Sequence, residues 1–471
     1  MAAHKTQIAI VGGGPGGYVA AFRAADLGLE VSLVDLDENP GGVCLYRGCI
    51  PSKALLHVAK LLNEAKQASE WGVTFGEPVI DLDKLRAFKD SVVAKMTGGL
   101  GQLSKARKVT YIRGRARFTG PHSLKIDLHG GGEQDLDFEH AVLATGSRPV
   151  MLPAFDIGSE RIMDSTTALE LRDVPPRLLV VGGGIIGLEL GQVYAALGSE
   201  VSVVEMLDGL IPPADRDLVR VLSKRLEAQF DGIHLNTKVT AVIESGDALD
   251  VTWEPTAGGE GSTHTFDRIL LSIGRRPNTE DLGLDATNVQ LTEHGFVSVD
   301  PQRRTAEPSI FAIGDIIGSA LAHTASHEGM VAAEVLAGQR SVFEPNAIPS
   351  VVYTDPEIAW CGLTEKEAEG RDIEVARFPW AASGRATTMG RSDGLTKLIV
   401  DPQTERILGV GIAGPGAGEL ISEGVLAVEM AALVQDVALS IHPHPSLSET
   451  LMEAAEAFHG LSPHITAPRR K

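Results

Sequence analysis

The sequence has few cysteines, no excess of positive charge and no long uninterrupted hydrophobic run. Three cysteines among 471 residues are too few and too unevenly placed for the disulfide framework of a secreted protein. The 42 basic and 62 acidic residues give a formal charge of −20, which is not the basic footprint of a nucleic-acid-binding protein. No run reaches the roughly 18 apolar residues that a membrane span needs. We therefore expect neither a nucleic-acid partner nor a membrane partner.

The N-terminal segment and the composition indicate a cytoplasmic globular protein. The apolar run Ile8–Val11 continues directly into glycines, where a signal peptide would have a cleavage site. At roughly 150 residues per domain the length suggests about three domains, which can bury several cores without disulfides or a structural metal. Glycine contributes 52 residues of 471, well above the usual ~7%. This excess is typical of tight turns and of backbone that approaches a ligand closely, and it favours a nucleotide-handling protein.

Two copies of one βαβ pattern organise the first half of the chain. Residues 8–35 and 178–205 each run from an apolar strand, through a glycine turn and a helical stretch, to a β-branched strand that ends in an acid. That acid is Asp35 in the first copy and Glu205 in the second. Each copy contains the spacing G-x-G-x-x-G: Gly12, Gly14 and Gly17 in the first, and Gly182, Gly184 and Gly187 in the second.

This spacing predicts one dinucleotide site in each copy. The first glycine allows a tight turn, the second lets the backbone approach a pyrophosphate, and the third lets helix and strand pack closely. The helix N–H groups then face phosphate oxygens, and the acid accepts hydrogen bonds from ribose hydroxyls, which favours an unphosphorylated 2′ position. A single fingerprint could be a structural turn. Two copies with strand, helix and acid in register predict two bound dinucleotides.

The rest of the chain predicts two further units. The runs 141–149 and 269–278 are apolar strands followed by small-residue turns, and we expect them to close the two nucleotide domains. The short strand 309–315 ends on Asp315, which either meets a cofactor hydroxyl or caps a turn. From about residue 348 short apolar runs are followed by helical stretches at 417–435 and 446–458, which indicates an α+β domain, and 467–471 is expected to be a loose tail. The predicted domains are 1–148, 149–277, 278–347 and 348–471.

Cys44 and Cys49 lie five residues apart, just after the first acid. In an ideal helix their Cα atoms would be about 8.7 Å apart, whereas a disulfide needs roughly 4.4–6.8 Å. The pair can close only if the turn is distorted, and Gly48 and Pro51 permit that. A reversible disulfide at a helix N-terminus suits redox chemistry, because the helix dipole stabilises a thiolate. One alternative is that the two cysteines are unrelated buried thiols. A zinc site is less favoured, because the chain has no second cysteine pair. Cys361 lies among apolar neighbours and is interpreted as an inert core residue.

The segment GGVCLYRGCIPSKALL, residues 41–56, resembles the redox-active segment of the flavin-dependent disulfide reductases. These form class I of the pyridine nucleotide-disulfide oxidoreductase family, and the closest resemblance is to the members that oxidise dihydrolipoamide. The resemblance also includes the ATG turn at 144–146, FAIGD at 311–315 and HPHPSLSE at 442–449. It implies an α/β fold with two Rossmann-like domains, one for FAD and one for NAD. A central domain would complete the FAD site, and a C-terminal α+β domain would form a homodimer.

The resemblance also implies roles for individual residues. Cys49 would be the thiolate against the flavin, and Cys44 the thiol that exchanges with substrate. Lys53 would lie near the flavin and pair with Glu189. The implied FAD contacts are Asp35, where the family more often has Glu, together with Lys53, Ala116, Thr145, Gly146, Asp315 and Ala322; the implied NAD contacts are Glu205, Val239 and Gly274.

His444 and Glu449 complete the implied machinery. In the family the corresponding His removes a proton from the substrate thiol across the dimer interface, and the Glu orients it. An imidazole suits this task because its ordinary pKa, near 6.5, lets it accept a proton at physiological pH. The sequence departs from the family at Pro443 and Ser446, where Ala and Thr are usual, and both are backbone or cap positions.

The implied reaction oxidises dihydrolipoyl groups carried by acyltransferases or other lipoyl carrier proteins of 2-oxo acid dehydrogenase complexes, and it reduces NAD⁺. Three other functions fit the sequence less well. A glutathione-type reductase would need basic residues near Glu205 for a 2′-phosphate, and residues 202–208 have none. A mercuric-ion reductase would usually carry a C-terminal cysteine pair, which is absent from 464–471. A non-catalytic flavoprotein scaffold or redox sensor would not need the cysteines, the base and its orienting Glu together.

Overall fold

The computed structural model describes residues 4–466, which form 21 β-strands and 12 α-helices. The expected tail at 467–471 lies outside the described residues. The strands are β1 His4–Val11, β2 Val31–Asp35, β3 Thr110–Gly120, β4 Ser123–Leu128, β5 Glu133–Leu143, β6 Ser147–Pro149, β7 Ile162–Met163, β8 Arg177–Val181, β9 Glu200–Val204, β10 Gly232–His234, β11 Thr237–Ser245, β12 Ala248–Pro255, β13 Ser262–Phe266, β14 Arg268–Leu271, β15 Arg275–Pro277, β16 Ile310–Ala312, β17 Ser350–Val352, β18 Ile358–Gly362, β19 Glu374–Pro379, β20 Leu395–Val400 and β21 Ile407–Ala413.

The helices alternate with these strands in the first half of the chain and group together near its end. They are α1 Pro15–Asp26, α2 Gly42–Arg47, α3 Cys49–Gln67, α4 Leu82–Ala106, α5 Ser165–Leu169, α6 Ile185–Leu197, α7 Arg216–Gln229, α8 Ala322–Leu336, α9 Gly384–Thr388, α10 Ala417–Glu429, α11 Val434–Leu439 and α12 Glu449–Phe458. Within residues 4–466 no helix combines the length and the apolar character that crossing a membrane requires.

The first sheet is built around β1, whose inner residues Ala9 and Ile10 are fully buried. β1 lies between β2 and β5 and runs parallel to both. The first part of β3 continues the parallel order beside β2, and its second part turns away to pair antiparallel with β4, which returns to β5. Strands buried on both faces read as continuous apolar runs, which is why residues 8–11 and 31–34 lack alternation.

Segment 278–347 joins this first sheet. Its strand β16 pairs parallel with the end of β5, with Phe311 opposite Val142, and its helix α8 packs against α1. Among the described residues the segment forms no sheet of its own. The four domain boundaries given above stay predictions.

The second sheet repeats the first around β8. Its order is β10-β9-β8-β14-β7, all parallel, and α6 follows β8 as α1 follows β1. An antiparallel sheet of β11, β12 and β13 packs beside it, and the pair β6–β15 connects the two nucleotide units. The repeat deduced from the sequence is thus present as two βαβ units, and the predicted α/β class is confirmed.

The C-terminal part is an antiparallel sheet of order β17-β18-β21-β20-β19 with α10 and α12 packed on it. The predicted α+β character is confirmed, but the predicted single helical stretch at 417–435 is wrong. α10 ends at Glu429, Ala431 adopts a left-handed φ of 55°, and α11 begins at Val434. The helix stops there because the carbonyl of Ala432 accepts a hydrogen bond from Ile407 N–H at the start of β21.

Candidate active site

One cavity of about 1860 Å³ runs between the two nucleotide units and reaches the C-terminal part of the chain. Both glycine turns and the cysteine segment open onto it. Seventeen of the residues singled out from the sequence line it: Gly12, Gly14, Asp35, Cys44, Cys49, Lys53, Ala116, Thr145, Gly146, Gly182, Gly184, Glu189, Glu205, Val239, Gly274, Asp315 and Ala322.

The third glycine of each fingerprint, Gly17 or Gly187, does not line the cavity but lies beneath the turn. A Cβ on Gly17 would come within 1.8 Å of the Gly12 carbonyl oxygen, and one on Gly187 within 2.5 Å of the Gly182 carbonyl oxygen. Only glycine allows helix and strand to approach this closely. These two positions therefore shape the turns that the other glycines present.

The helix N-termini at the two turns fit a pyrophosphate. Gly14 and Gly184 are the N-caps of α1 and α6, and neither end has a side-chain cap. A Cβ on either glycine would meet no atom within 4 Å, so the space in front of the helix is open. The uncapped N–H groups and the positive end of the helix dipole favour an anion at this place.

The two acids hold the glycine turns. The Asp35 carboxylate accepts hydrogen bonds from the N–H groups of Gly13 and Asp37. The Glu205 carboxylate accepts from Gly183 N–H at 2.6 Å and from Leu207 N–H at 2.8 Å. Sequence reasoning assigned these acids only to ribose hydroxyls, so this second role was missed. Burial raises the pKa of Asp35 above its ordinary value.

The cysteines lie on either side of a helix break. Cys44 belongs to α2 and Cys49 is the first residue of α3, with Gly48 between the two helices. A Cβ on Gly48 would come within 2.9 Å of the Val43 carbonyl oxygen, so the tight connection requires glycine. The distortion that the five-residue spacing predicted is therefore a full interruption of the helix. The structure holds both cysteines as free thiols.

The two thiols differ in their electrostatic surroundings. The hydrogen bond from Cys44 and the charge of Lys53 outweigh burial and lower the pKa of Cys49 to about 7. The same hydrogen bond and burial raise the pKa of Cys44 above the ordinary value. Cys49 is thus the group that ionises first and Cys44 the one that keeps its proton. Cys361 is buried in the C-terminal core, and burial raises its pKa to about 12.

Lys53 and Glu189 form an ion pair beside the thiols. Lys53 Nζ lies 2.8 Å from Glu189 Oε2, and the Glu189 side chain is only 4% exposed. Glu189 Oε1 accepts a hydrogen bond from Tyr353 N–H at 2.9 Å. Lys53 Nζ also lies 4.5 Å from the centre of the Tyr353 ring. Tyr353 was missed from the sequence, because it comes 300 residues after Lys53 in a segment without a recognisable pattern.

Asp315 is held by two other residues that line the cavity, Ser147 and Arg275. Ser147 Oγ donates a hydrogen bond to its carboxylate, and Arg275 donates to both Oγ and the carbonyl oxygen of Ser147 at 2.7 Å. Burial lowers the pKa of Arg275. Ser147 and Arg275 were not singled out from the sequence, although both follow the two small-residue turns at 144–146 and 272–274.

His444 and Glu449 pair with each other but do not line the cavity. His444 Nδ1 lies 2.8 Å from Glu449 Oε1, and Ser446 N–H donates to Glu449 Oε2 at 2.6 Å. Partial burial raises the pKa of Glu449, but the hydrogen bonds from Ser446 and His444 outweigh burial and hold this pKa below its ordinary value. The His444 side chain is 76% exposed. One chain thus leaves this imidazole exposed to solvent and outside the cavity that contains its own cysteines.

Comparison with protein families accounts for almost the whole chain. Residues 6–329 match the family described as pyridine nucleotide-disulphide oxidoreductase. Residues 348–455 match the dimerisation domain of the same family.

Individual relatives and solved structures agree with these matches. The chain is 52% identical to a dihydrolipoyl dehydrogenase of Haemophilus influenzae, covering 97% of this chain and 95% of the relative. It is 49% identical to one of Vibrio cholerae, covering 99% of each. It superposes on the structure of LpdA from Mycobacterium tuberculosis with a TM-score of 0.88 and 28% sequence identity. It also superposes on the HOCl-induced flavoprotein disulfide reductase RclA of Escherichia coli, solved as a Cu(II) complex, with a TM-score of 0.85 and 27% sequence identity. Both superpositions cover 96% of this chain and 99% of the other. On the family match, the relatives and the fold, the chain belongs to the pyridine nucleotide-disulphide oxidoreductase family.

Proposed function

We propose that the protein is an NAD-dependent dihydrolipoyl dehydrogenase, which oxidises dihydrolipoamide to lipoamide through a cysteine pair and FAD. The observation that carries the proposal is the pair of unequal thiols, Cys44 and Cys49, on a cavity that also contains two dinucleotide turns. The names of relatives about 50% identical over nearly full length support the same substrate.

The thiol exchange follows from the different acidities of the two cysteines. In the oxidised enzyme a dihydrolipoyl thiolate attacks the sulfur of Cys44, the Cys44–Cys49 bond breaks, and Cys49 leaves as a thiolate. The second lipoyl thiolate then attacks the lipoyl sulfur of the mixed disulfide, which closes the lipoyl ring and releases Cys44. Cys49 is the better leaving group because its pKa is lowered to about 7, whereas Cys44 takes up a proton. Bound FAD supplies the two-electron chemistry that reoxidises the pair and reduces NAD⁺.

The first turn and its surroundings would hold FAD. The open N-terminus of α1 receives the pyrophosphate, and Asp315, which also lines the cavity, offers a carboxylate to a hydroxyl chain. The proposed FAD contacts are Gly12, Gly14, Asp35, Lys53, Ala116, Thr145, Gly146, Asp315 and Ala322. Gly17 acts indirectly, by allowing the helix to approach.

The second turn would hold NAD. Glu205 is fixed by two backbone N–H groups, and its negative charge disfavours a phosphate on the ribose 2′ position. The proposed NAD contacts are Gly182, Gly184, Glu205, Val239 and Gly274, with Gly187 beneath the turn. This division assigns 1–148 to FAD, 149–277 to NAD, 278–347 to completing the FAD site and 348–471 to dimerisation.

The base would come from the partner subunit of a homodimer. The dimerisation domain at 348–455 makes a two-fold dimer the natural assembly. His444 is exposed and oriented by Glu449, so the His444 of the partner subunit can face Cys44 and accept the substrate proton. The substrates in this proposal are lipoyl groups on acyltransferases or other lipoyl carriers of 2-oxo acid dehydrogenase complexes, in the cytoplasm.

The test compares substrates on the purified holoenzyme. Dihydrolipoamide with NAD⁺ is expected to turn over, and Cys49→Ser is expected to lose that activity while keeping its FAD. Cys361→Ser is the matched control, because Cys361 is buried and does not line the cavity. Turnover of glutathione disulfide with NADPH, without turnover of dihydrolipoamide, would contradict the proposal.

A further inference from the structure

Tyr353 places an aromatic ring against the ammonium group of Lys53. The distance from Lys53 Nζ to the ring centre is 4.5 Å, within the roughly 6 Å range of a cation–π contact. Glu189 lies on another side of the same ammonium, 2.8 Å away. The Tyr353 hydroxyl has no hydrogen-bond partner among the described residues, so the ring and not the hydroxyl makes the contact with Lys53.

The backbone that carries this ring is fixed by one face of α6. Glu189 and Gln192, three residues apart on that helix, are both buried. Glu189 Oε1 accepts from Tyr353 N–H, and Gln192 both accepts from Asp355 N–H at 2.7 Å and donates to the Asp355 carbonyl oxygen at 3.0 Å. Three hydrogen bonds thus hold residues 353–355, in the C-terminal part of the chain, on the second nucleotide unit.

We propose that Tyr353 is a positioning residue that holds the Lys53 ammonium beside the Cys49 thiol; this rests on the thiol chemistry proposed above. The Lys53 side chain is 34% exposed, and a lysine has four rotatable bonds. Glu189 alone restrains the ammonium from one side. The Tyr353 ring adds a second restraint on the ammonium, whose charge acts on Cys49.

Cys49 responds to several charges, and the test must separate them. Lys53, Glu189 and Arg275 interact electrostatically with Cys49, and Cys44 is hydrogen-bonded to it. Glu357 and Glu419 interact electrostatically with Tyr353. Substituting Tyr353 changes none of these charges at neutral pH. A change in Cys49 ionisation would therefore report a displaced Lys53.

The experiment measures the pH dependence of iodoacetamide alkylation at Cys49 in reduced holoenzyme with a Cys44→Ser background. Tyr353→Leu removes the ring and is expected to move the midpoint upward by about 0.5 pH units, the size of a weak cation–π contact. Tyr353→Phe keeps the ring and is expected to keep the midpoint. FAD content and circular dichroism verify that each variant is folded, and Tyr353→Met replaces Tyr353→Leu if that protein loses its flavin.

A second arm removes the cation. In a Lys53→Met background, Tyr353→Leu is expected to cause no further shift, because the ring then has no ammonium to hold. An unchanged midpoint in Tyr353→Leu, an equal shift in Tyr353→Phe, or the full shift in the Lys53→Met background would each overturn the role. Because this readout needs no lipoyl substrate, a wrong substrate assignment appears separately, as absent dihydrolipoamide turnover in the wild-type enzyme.

Discussion

Lys397→Met tests an ionic cluster that surrounds a buried lysine and joins the second nucleotide unit to the C-terminal sheet. Lys397 lies on β20 and its side chain is 1% exposed. Its Nζ lies 2.7 Å from Asp215, 2.7 Å from Asp217 and 2.6 Å from Glu365. The two aspartates are at the start of α7, and Glu365 follows β18. The Lys397 ammonium thus contacts all three carboxylates and partly neutralises their charge.

The expected loss follows from what the substitution leaves behind. Methionine has nearly the volume of lysine, so the cavity contribution is small. Asp215 loses its buried cation, whereas Arg377 still pairs with Asp217 and Glu365. Breaking a buried ion pair by removing one partner costs about 3–5 kcal/mol. Arg377→Met is the matched control, because Arg377 contacts Asp217 and Glu365 but its side chain is 41% exposed. Exposed pairs contribute roughly 0–1 kcal/mol.

The assay is urea unfolding followed by tryptophan fluorescence, since Trp380 is fully buried in the C-terminal core. Lys397→Met should lower the unfolding midpoint far more than Arg377→Met does. Burial raises the pKa of Asp217, but Lys397 and Arg377 outweigh it and hold the pKa below the ordinary 3.8. The ionised Asp217 carboxylate therefore stabilises the folded state above pH 3.8, and this contribution to the free energy of unfolding is lost as the pH falls through the folded-state pKa of Asp217. Equal midpoints for the two variants would refute the burial argument.

Three further predictions concern the active site. The kcat/KM for NAD⁺ should exceed that for NADP⁺, because the proposed NAD site brings the negative charge of Glu205 to the ribose 2′ position, and equal values would refute that placement. Cys49→Ser should lose lipoamide activity and any long-wavelength thiolate–flavin absorption after reduction, whereas Cys361→Ser should change neither. Heterodimers of one Cys49→Ser subunit and one His444→Gln subunit should recover about half of the wild-type activity, because one site carries both changes and the other carries none. Verified heterodimers without recovery would place the base on the same chain as its cysteines.

The sequence by itself determined the features that depend on local spacing. The strand, glycine turn, helix and acid of each βαβ unit lie within 28 residues. Some of these positions accept only glycine, as Gly17 does beneath the Gly12 carbonyl, so the sequence alone predicts the unit. The break between Cys44 and Cys49 was likewise foreseeable, because an unbroken helix keeps such a pair too far apart. The α+β character of the last part also followed from its changed pattern.

Only the tertiary structure decided which distant segments meet. Tyr353 reaches Lys53 because α6 binds the backbone of residues 353–355, and β16 of the distant segment 278–347 extends the first sheet. The stretch expected to be one helix at 417–435 breaks because Ala432 pairs with Ile407 at the start of a strand. Such contacts depend on how sheets and helices pack after they form, and no local period in the chain encodes them. The same packing leaves His444 exposed and outside the cavity that contains the cysteines of its own chain.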